Sequence, residues 1–174
     1  SHFRKAARLD ARNAQYALDL GACARKLGRV NEALTWLEKA LSLDPNNGQA
    51  HAELGMLMGS RGQWEEALAH FRASLLIDEQ NVDYLHMYGI ACLHTNATED
   101  AIKTLERALA LDPRRADVYV TYAEALERAG KRDEAIQNLQ EAVRLDDTNV
   151  SYKVKLGSML RRYGEYQDAE DLLL

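Results

Sequence analysis

Residues 48–81 read GQAHAELGMLMGSRGQWEEALAHFRASLLIDEQN. The stretch holds a small residue at Gly55, a turn at Gly62-Gln63, an aromatic at Trp64, then Ala67, Phe71 and an apolar run ending at Ile77-Asp78. Working outward, the same marks return at a period of 34 residues: Gly21, Gly55 and Gly89, with Ala123 in the next slot and Gly157 after it. Ala33, Ala67, Ala101, Ala135 and Ala169 keep that interval, as do Asp10, Asp44, Asp78, Asp112 and Asp146. An uninterrupted period of this length marks a stacked array, because one such unit cannot bury its apolar face alone.

Within each period the motifs are LG at Leu20-Gly21, Leu54-Gly55 and Leu156-Gly157, and YG at Tyr88-Gly89. EA follows at Glu32-Ala33, Glu66-Ala67 and Glu134-Ala135, and LDP at Leu43-Asp44-Pro45 and Leu111-Asp112-Pro113. In these the chain resembles the tetratricopeptide repeat, a helix-turn-helix unit with a small residue in its first helix (A) and an alanine near the start of its second (B). The resemblance covers the whole chain. It implies an all-α fold, a right-handed α-solenoid, read as one array over 1–174: a partial repeat at 1–13, repeats at 14–47, 48–81, 82–115 and 116–149, and a truncated repeat at 150–174. The A helices are expected near 14–27, 48–61, 82–95, 116–129 and 150–163, with B helices between them and no strands.

The local chemistry agrees with that division. Asn13, Asn47, Asn81 and Asn149 stand where A helices begin, and an asparagine side-chain oxygen accepts one of the orphan N–H groups there. Arg115 breaks the series, so the helix behind it should start less crisply. Gly28 suits the left-handed residue that ends a helix. Asn96 replaces glycine in that slot and tolerates positive φ, and Thr98 can cap the helix that follows. Gly55 and Ala67 let helix backbones approach, with Leu54, Phe71 and Leu75 filling the space around them. Phe3, Ala6 and Leu9 read as the tail of a B helix without its A partner. Leu156, Met159, Leu160 and Tyr163 are followed only by a short segment ending Leu172-Leu173-Leu174. Both ends are therefore expected to leave apolar surface uncovered, closed by further chain or by self-association into a homo-oligomer.

Composition removes several function classes. Hydrophobic residues make up 47% and charged residues 28%, with a net charge of −5, which argues against a general nucleic-acid binder, since those usually carry a basic face or stripe. No run of about 18 apolar residues offers a membrane span. Cys23 and Cys92 sit two repeats apart and read as small core residues in a reducing compartment, which gives a cytoplasmic location. No Ser-His-Asp order, phosphate loop, CxxC or HExxH occurs. His86 and His94 share one helix at a separation of about 12 Å, too far for one metal. No catalytic residue, cofactor or metal ligand is assigned, and the sequons at Asn96 and Asn149 are explained by turns and caps.

The resemblance implies that ligands lie on the face lined by A helices. Counted from the small residue, that face holds Leu18, Ala22 and Arg25 in the first repeat, and Ala52 and Met56 in the second. His86, Ile90 and Leu93 follow in the third, Val120 and Glu124 in the fourth, and Val154, Arg161 and Arg162 in the fifth. Its middle is small and apolar, centred on Ala52, Met56, Ile90 and Val120, and its C-terminal end is basic, with Lys155 beside the two arginines. Relatives that clamp chaperone C-terminal carboxylates use Lys and Asn where Leu18 and Ala22 stand, so that ligand is not expected. The expected function is a non-enzymatic protein–protein interaction scaffold or adaptor holding a partner peptide or helix. The alternatives are a self-assembling scaffold, and the substrate-recognition arm of a larger enzyme such as a glycosyltransferase.

Overall fold

The computed structural model describes residues 13–165 and 169; Phe3, Ala6, Leu9 and the closing leucines lie outside them. The chain forms two compact units, Ser1–Thr95 and Asn96–Leu174. The first holds α1 (Ala14–Lys26), α2 (Val30–Leu43), α3 (Gly48–Ser60), α4 (Trp64–Ile77) and α5 (Val82–His94). The second holds α6 (Thr98–Leu111), α7 (Ala116–Arg128), α8 (Arg132–Leu145) and α9 (Val150–Tyr163). No strand occurs among the described residues, and every A helix lies within one residue of its expected span.

The asparagine caps form as expected. Asn13, Asn47, Asn81 and Asn149 each accept from the first-turn backbone, as in Ala50 N to Asn47 Oδ1 at 2.9 Å. The aspartate column has a role that its periodicity alone did not reveal. Asp44, Asp78 and Asp146 end B helices, and each carboxylate accepts from the Nδ2 of the asparagine three residues on, at 3.2–3.3 Å. One Asp-x-x-Asn pair thus closes one helix and opens the next. Arg115 makes no side-chain cap and instead pairs with Asp117 at 2.8 Å.

B helices begin differently. Arg29, Gln63, Ala97 and Lys131 precede them without a side-chain cap bond. Thr98 is the first helical residue rather than the cap, one position too late to serve the turn. Acidic residues occupy these first turns, Glu65-Glu66 and Asp133-Glu134 among them, where the helix dipole favours negative charge. Each A helix leaves through a left-handed residue. Gly28 has φ of 69° and Asn96 has 59°. Behind Gly28 the Arg29 N–H reaches Ala24 O at 2.9 Å, and Gln63, Lys131 and Glu165 make the same bond in their turns, which satisfies carbonyls the helix would otherwise orphan.

In the first unit α1 packs on α2 and α3 on α4, while α3 also meets α1 and α5. A Cβ on Gly21 would lie 2.6 Å from Leu37 Cγ, and one on Gly55 would lie 2.5 Å from Phe71 Cε1. The missing side chains are what let α2 and α4 close on α1 and α3. In the second unit Ala123 fills that slot, fully buried. There α7 packs on α8, with α6 against α7 and α8 against α9. Leu156, Met159 and Leu160, expected on an uncovered face, are buried in the second unit's core, to which Ala169 also belongs. Both cysteines are free thiols. Cys92 is buried as expected, but Cys23 is exposed.

Candidate functional site

The first unit carries an open pocket of about 420 Å³ whose lining comes mainly from the A helices α1, α3 and α5. Two glycines on α3 shape it. Gly55 admits the Phe71 ring, which forms the floor. A Cβ on Gly59 would lie 2.9 Å from Trp64 Cζ3, so its absence lets the Trp64 indole lie against α3. The other neighbour of that indole is His94 at the end of α5, stacked at 3.6 Å between ring centroids and 1° between planes. Met56, Met87 and Ile90 complete the apolar wall, and Arg25, Ser60 and His86 supply the polar edge.

Arg25 is held from below. Its Nε–H donates to Oε2 of Glu53, one repeat on, at 2.6 Å. Glu53 is only 7% exposed, one of three buried polar or charged residues among those described. With Nε committed, the guanidinium is restrained. The two terminal nitrogens have no partner among the described residues.

The second unit has its own pocket, about 320 Å³, lined by Val120, Glu124, Glu127, Val154, Lys155 and Arg162 among others. Its charges largely cancel. Arg128 pairs with Glu124 at 2.7 Å, and Arg162 pairs with Glu127, which also accepts from the Tyr163 hydroxyl at 3.4 Å. Tyr122, on α7 outside the pocket lining, has its phenol pushed up to about 12, first by burial and then by the Glu106 carboxylate. The end expected to be basic is therefore mixed in sign.

The residues expected on the binding face separate into three groups. Arg25, Met56, His86 and Ile90 are gathered by the first pocket, and Val120, Glu124, Val154 and Arg162 by the second. Leu18, Ala52 and Leu93 are buried at 1%, 3% and 3% exposure, so they pack between helices. Ala22 is half-buried and Arg161 exposed, and neither lines a pocket. Gly59 also falls on that expected face, while Trp64, Met87 and Glu53 do not. Gly59 and Trp64 were visible in the opening stretch, and Glu53 stands out as a lone carboxylate in an apolar helix.

A histidine pair lies outside the pocket. His51 Nδ1 on α3 and His70 Nδ1 on α4 are 3.1 Å apart, and His51 Nε2 is 3.3 Å from Pro45 O. A carbonyl only accepts, so Nε2 of neutral His51 carries the hydrogen and its bare Nδ1 accepts from His70. Burial, then the neighbouring His51, holds His70 below its ordinary value of 6.5, with Glu66 opposing. The unfolded chain therefore binds a proton at a pH where folded His70 still resists it. Stability from this pair is fully present above about 6.5 and is lost as pH falls below it toward the folded value. Urea midpoints measured from about pH 7.5 down to 5.5 should fall, and more steeply than in His70→Gln. Parallel pH dependence in the two proteins would refute this account.

The helical period, the glycine contacts and the A-helix pockets define an all-α helical repeat fold of the solenoid class. The sequence profile of the tetratricopeptide repeat family matches residues 3–147, and the chain belongs to that family. No curated protein matches it by sequence. Among solved structures it is similar to PilF of Pseudomonas aeruginosa, with 24% identity over 91% of this chain and 72% of that one and a TM-score of 0.83. MamA of Desulfovibrio magneticus RS-1 is similar at 21% identity, 92% and 90% coverage, and a TM-score of 0.82. YrrB, described as a TPR protein with an unusual peptide-binding site, is similar at 20% identity, 99% and 89% coverage, and a TM-score of 0.80. These likenesses show a shared fold. No helix among the described residues is long and apolar enough to cross a membrane.

Proposed function

We propose that the protein is a non-enzymatic interaction scaffold whose first-unit pocket receives a segment of a partner protein, an extended peptide or one face of a helix. The observation that carries this reading is the convergence of Met56, Met87, Ile90 and Trp64 on an open, mainly apolar pocket. Thioether side chains adapt to varied apolar partners, and such pockets are common docking places for peptide segments. The peptide-binding site ascribed to YrrB, which shares the fold, supports the same reading. Val120 and Val154 in the second unit's pocket offer a second, weaker contact of this kind.

Met56 is only partly buried, so a charge there should harm binding more than folding. Met56→Glu is expected to weaken peptides selected on the wild-type protein by about tenfold or more, roughly 1.4 kcal/mol, with the melting temperature nearly unchanged. Calorimetric titration and thermal unfolding of both proteins decide the matter. Unchanged affinity together with a large drop in melting temperature would make Met56 a core residue and remove the proposal's basis.

A further inference from the structure

We infer that the first-unit pocket selects a partner peptide in which a bulky apolar residue stands next to an acidic one. This rests on the docking function just proposed and adds the chemistry of the partner. The apolar half follows from the walls: two methionines that can adjust, Ile90, and an indole fixed between Gly59 and His94. A pocket of about 420 Å³ takes one anchoring side chain with its flanking backbone rather than a long helix face.

The acidic half follows from Arg25. Glu53 takes the Nε–H, leaving both terminal nitrogens of a restrained guanidinium without a partner among the described residues. Such a fork matches a carboxylate bidentately, and a restrained fork loses little entropy on binding. Glu53 is buried and is not among the lining residues, so it positions Arg25 without occupying the pocket. No carboxylate among the described residues lines this pocket, whereas the second unit's pocket is lined by Glu124 and Glu127. Lys26 follows Arg25, and Arg61 follows the pocket residue Ser60; neither has an ion-pair partner among the described residues. Glu65 and Glu66 open α4 beside Trp64, and Glu66 is engaged by Gln63 at 3.1 Å. The polar edge of the pocket is therefore complementary to an acid, whereas an Arg25–Glu53 pair that served packing alone would leave no such preference.

The test is selection of a displayed library of random peptides on the wild-type protein, with Met56→Glu as the counter-selection. Enriched peptides should carry Leu, Met, Phe or Trp adjacent to Asp or Glu. Synthetic versions should bind about tenfold more weakly when the acid is replaced by its amide, and the acid-bearing form alone should weaken as salt is raised. In Arg25→Gln, checked for folding by circular dichroism, the acid and amide forms should bind alike. If that variant does not fold, the acid–amide comparison on the wild-type protein decides by itself. An apolar consensus without an acid, or equal binding of acid and amide forms to the wild type, overturns the inference and leaves the docking function standing. Failure of any peptide to be enriched over Met56→Glu overturns both.

Discussion

Replacing Phe71 with alanine is expected to lower the stability of the first unit by about 3–5 kcal/mol, the range for deleting a buried aromatic ring. Phe71 is 3% exposed, and its ring fills the space that Gly55 leaves open. Gly55 has no side chain with which to close the resulting void, so the cavity penalty should be near its full size. The repeat supplies its own control. Leu37 occupies the equivalent place on α2 and meets Gly21 as Phe71 meets Gly55. Phe71→Leu should therefore cost less than about 1.5 kcal/mol. Both tryptophans of the chain, Trp36 and Trp64, lie in the first unit, so urea unfolding followed by their fluorescence reads that unit. A loss below about 1 kcal/mol for Phe71→Ala would mean that the interior around Gly55 repacks freely, contrary to the close contacts described.

Glu53→Ala is expected to cost about 1–3 kcal/mol, less than the 3–5 typical of breaking a fully buried pair. The reason for the discount is Arg25, whose side chain keeps 22% of its exposure and can turn toward water once its partner is gone. Arg25→Ala leaves the less accessible carboxylate without its cation and should cost at least as much. The double change Glu53→Ala with Arg25→Ala should destabilise by less than the sum of the two single changes. Additivity in that cycle would show that the two side chains are neighbours without being partners.

What the sequence made legible was periodic and local. The 34-residue columns placed each A helix to within a residue, four asparagines announced their caps, and Asn96 announced its left-handed turn. Depth was not legible. Leu18, Ala52 and Leu93 lie on the expected face of their helices, yet each is covered by neighbouring helices. Spacing from the small residue gives the direction of a side chain and not what lies in front of it. Glu53 stands alone among the carboxylates of its helix, but its partner is 28 residues away in sequence, so nothing local names the pair. The His51–His70 bond and the Trp64–His94 stack likewise join different helices, and no pattern within one repeat encodes them. Trp64 was passed over because it opens a B helix, while the expected face was drawn from A helices alone.

The Asp-x-x-Asn joint has a consequence for how such a chain can change in length. Its four residues carry the whole instruction for ending one helix and starting the next, and they recur in the same phase of the period. A gene rearrangement that removes or duplicates one period, cut at any such joint, rejoins an aspartate to its asparagine with the hydrogen bonds intact. A cut made elsewhere in the period, unless its other end falls in the same phase, strands a carboxylate or a helix start. Addition and loss of whole repeats is thus the mutational step this joint tolerates, and the Arg115 junction, which lacks the asparagine, is where the interchange would be least silent.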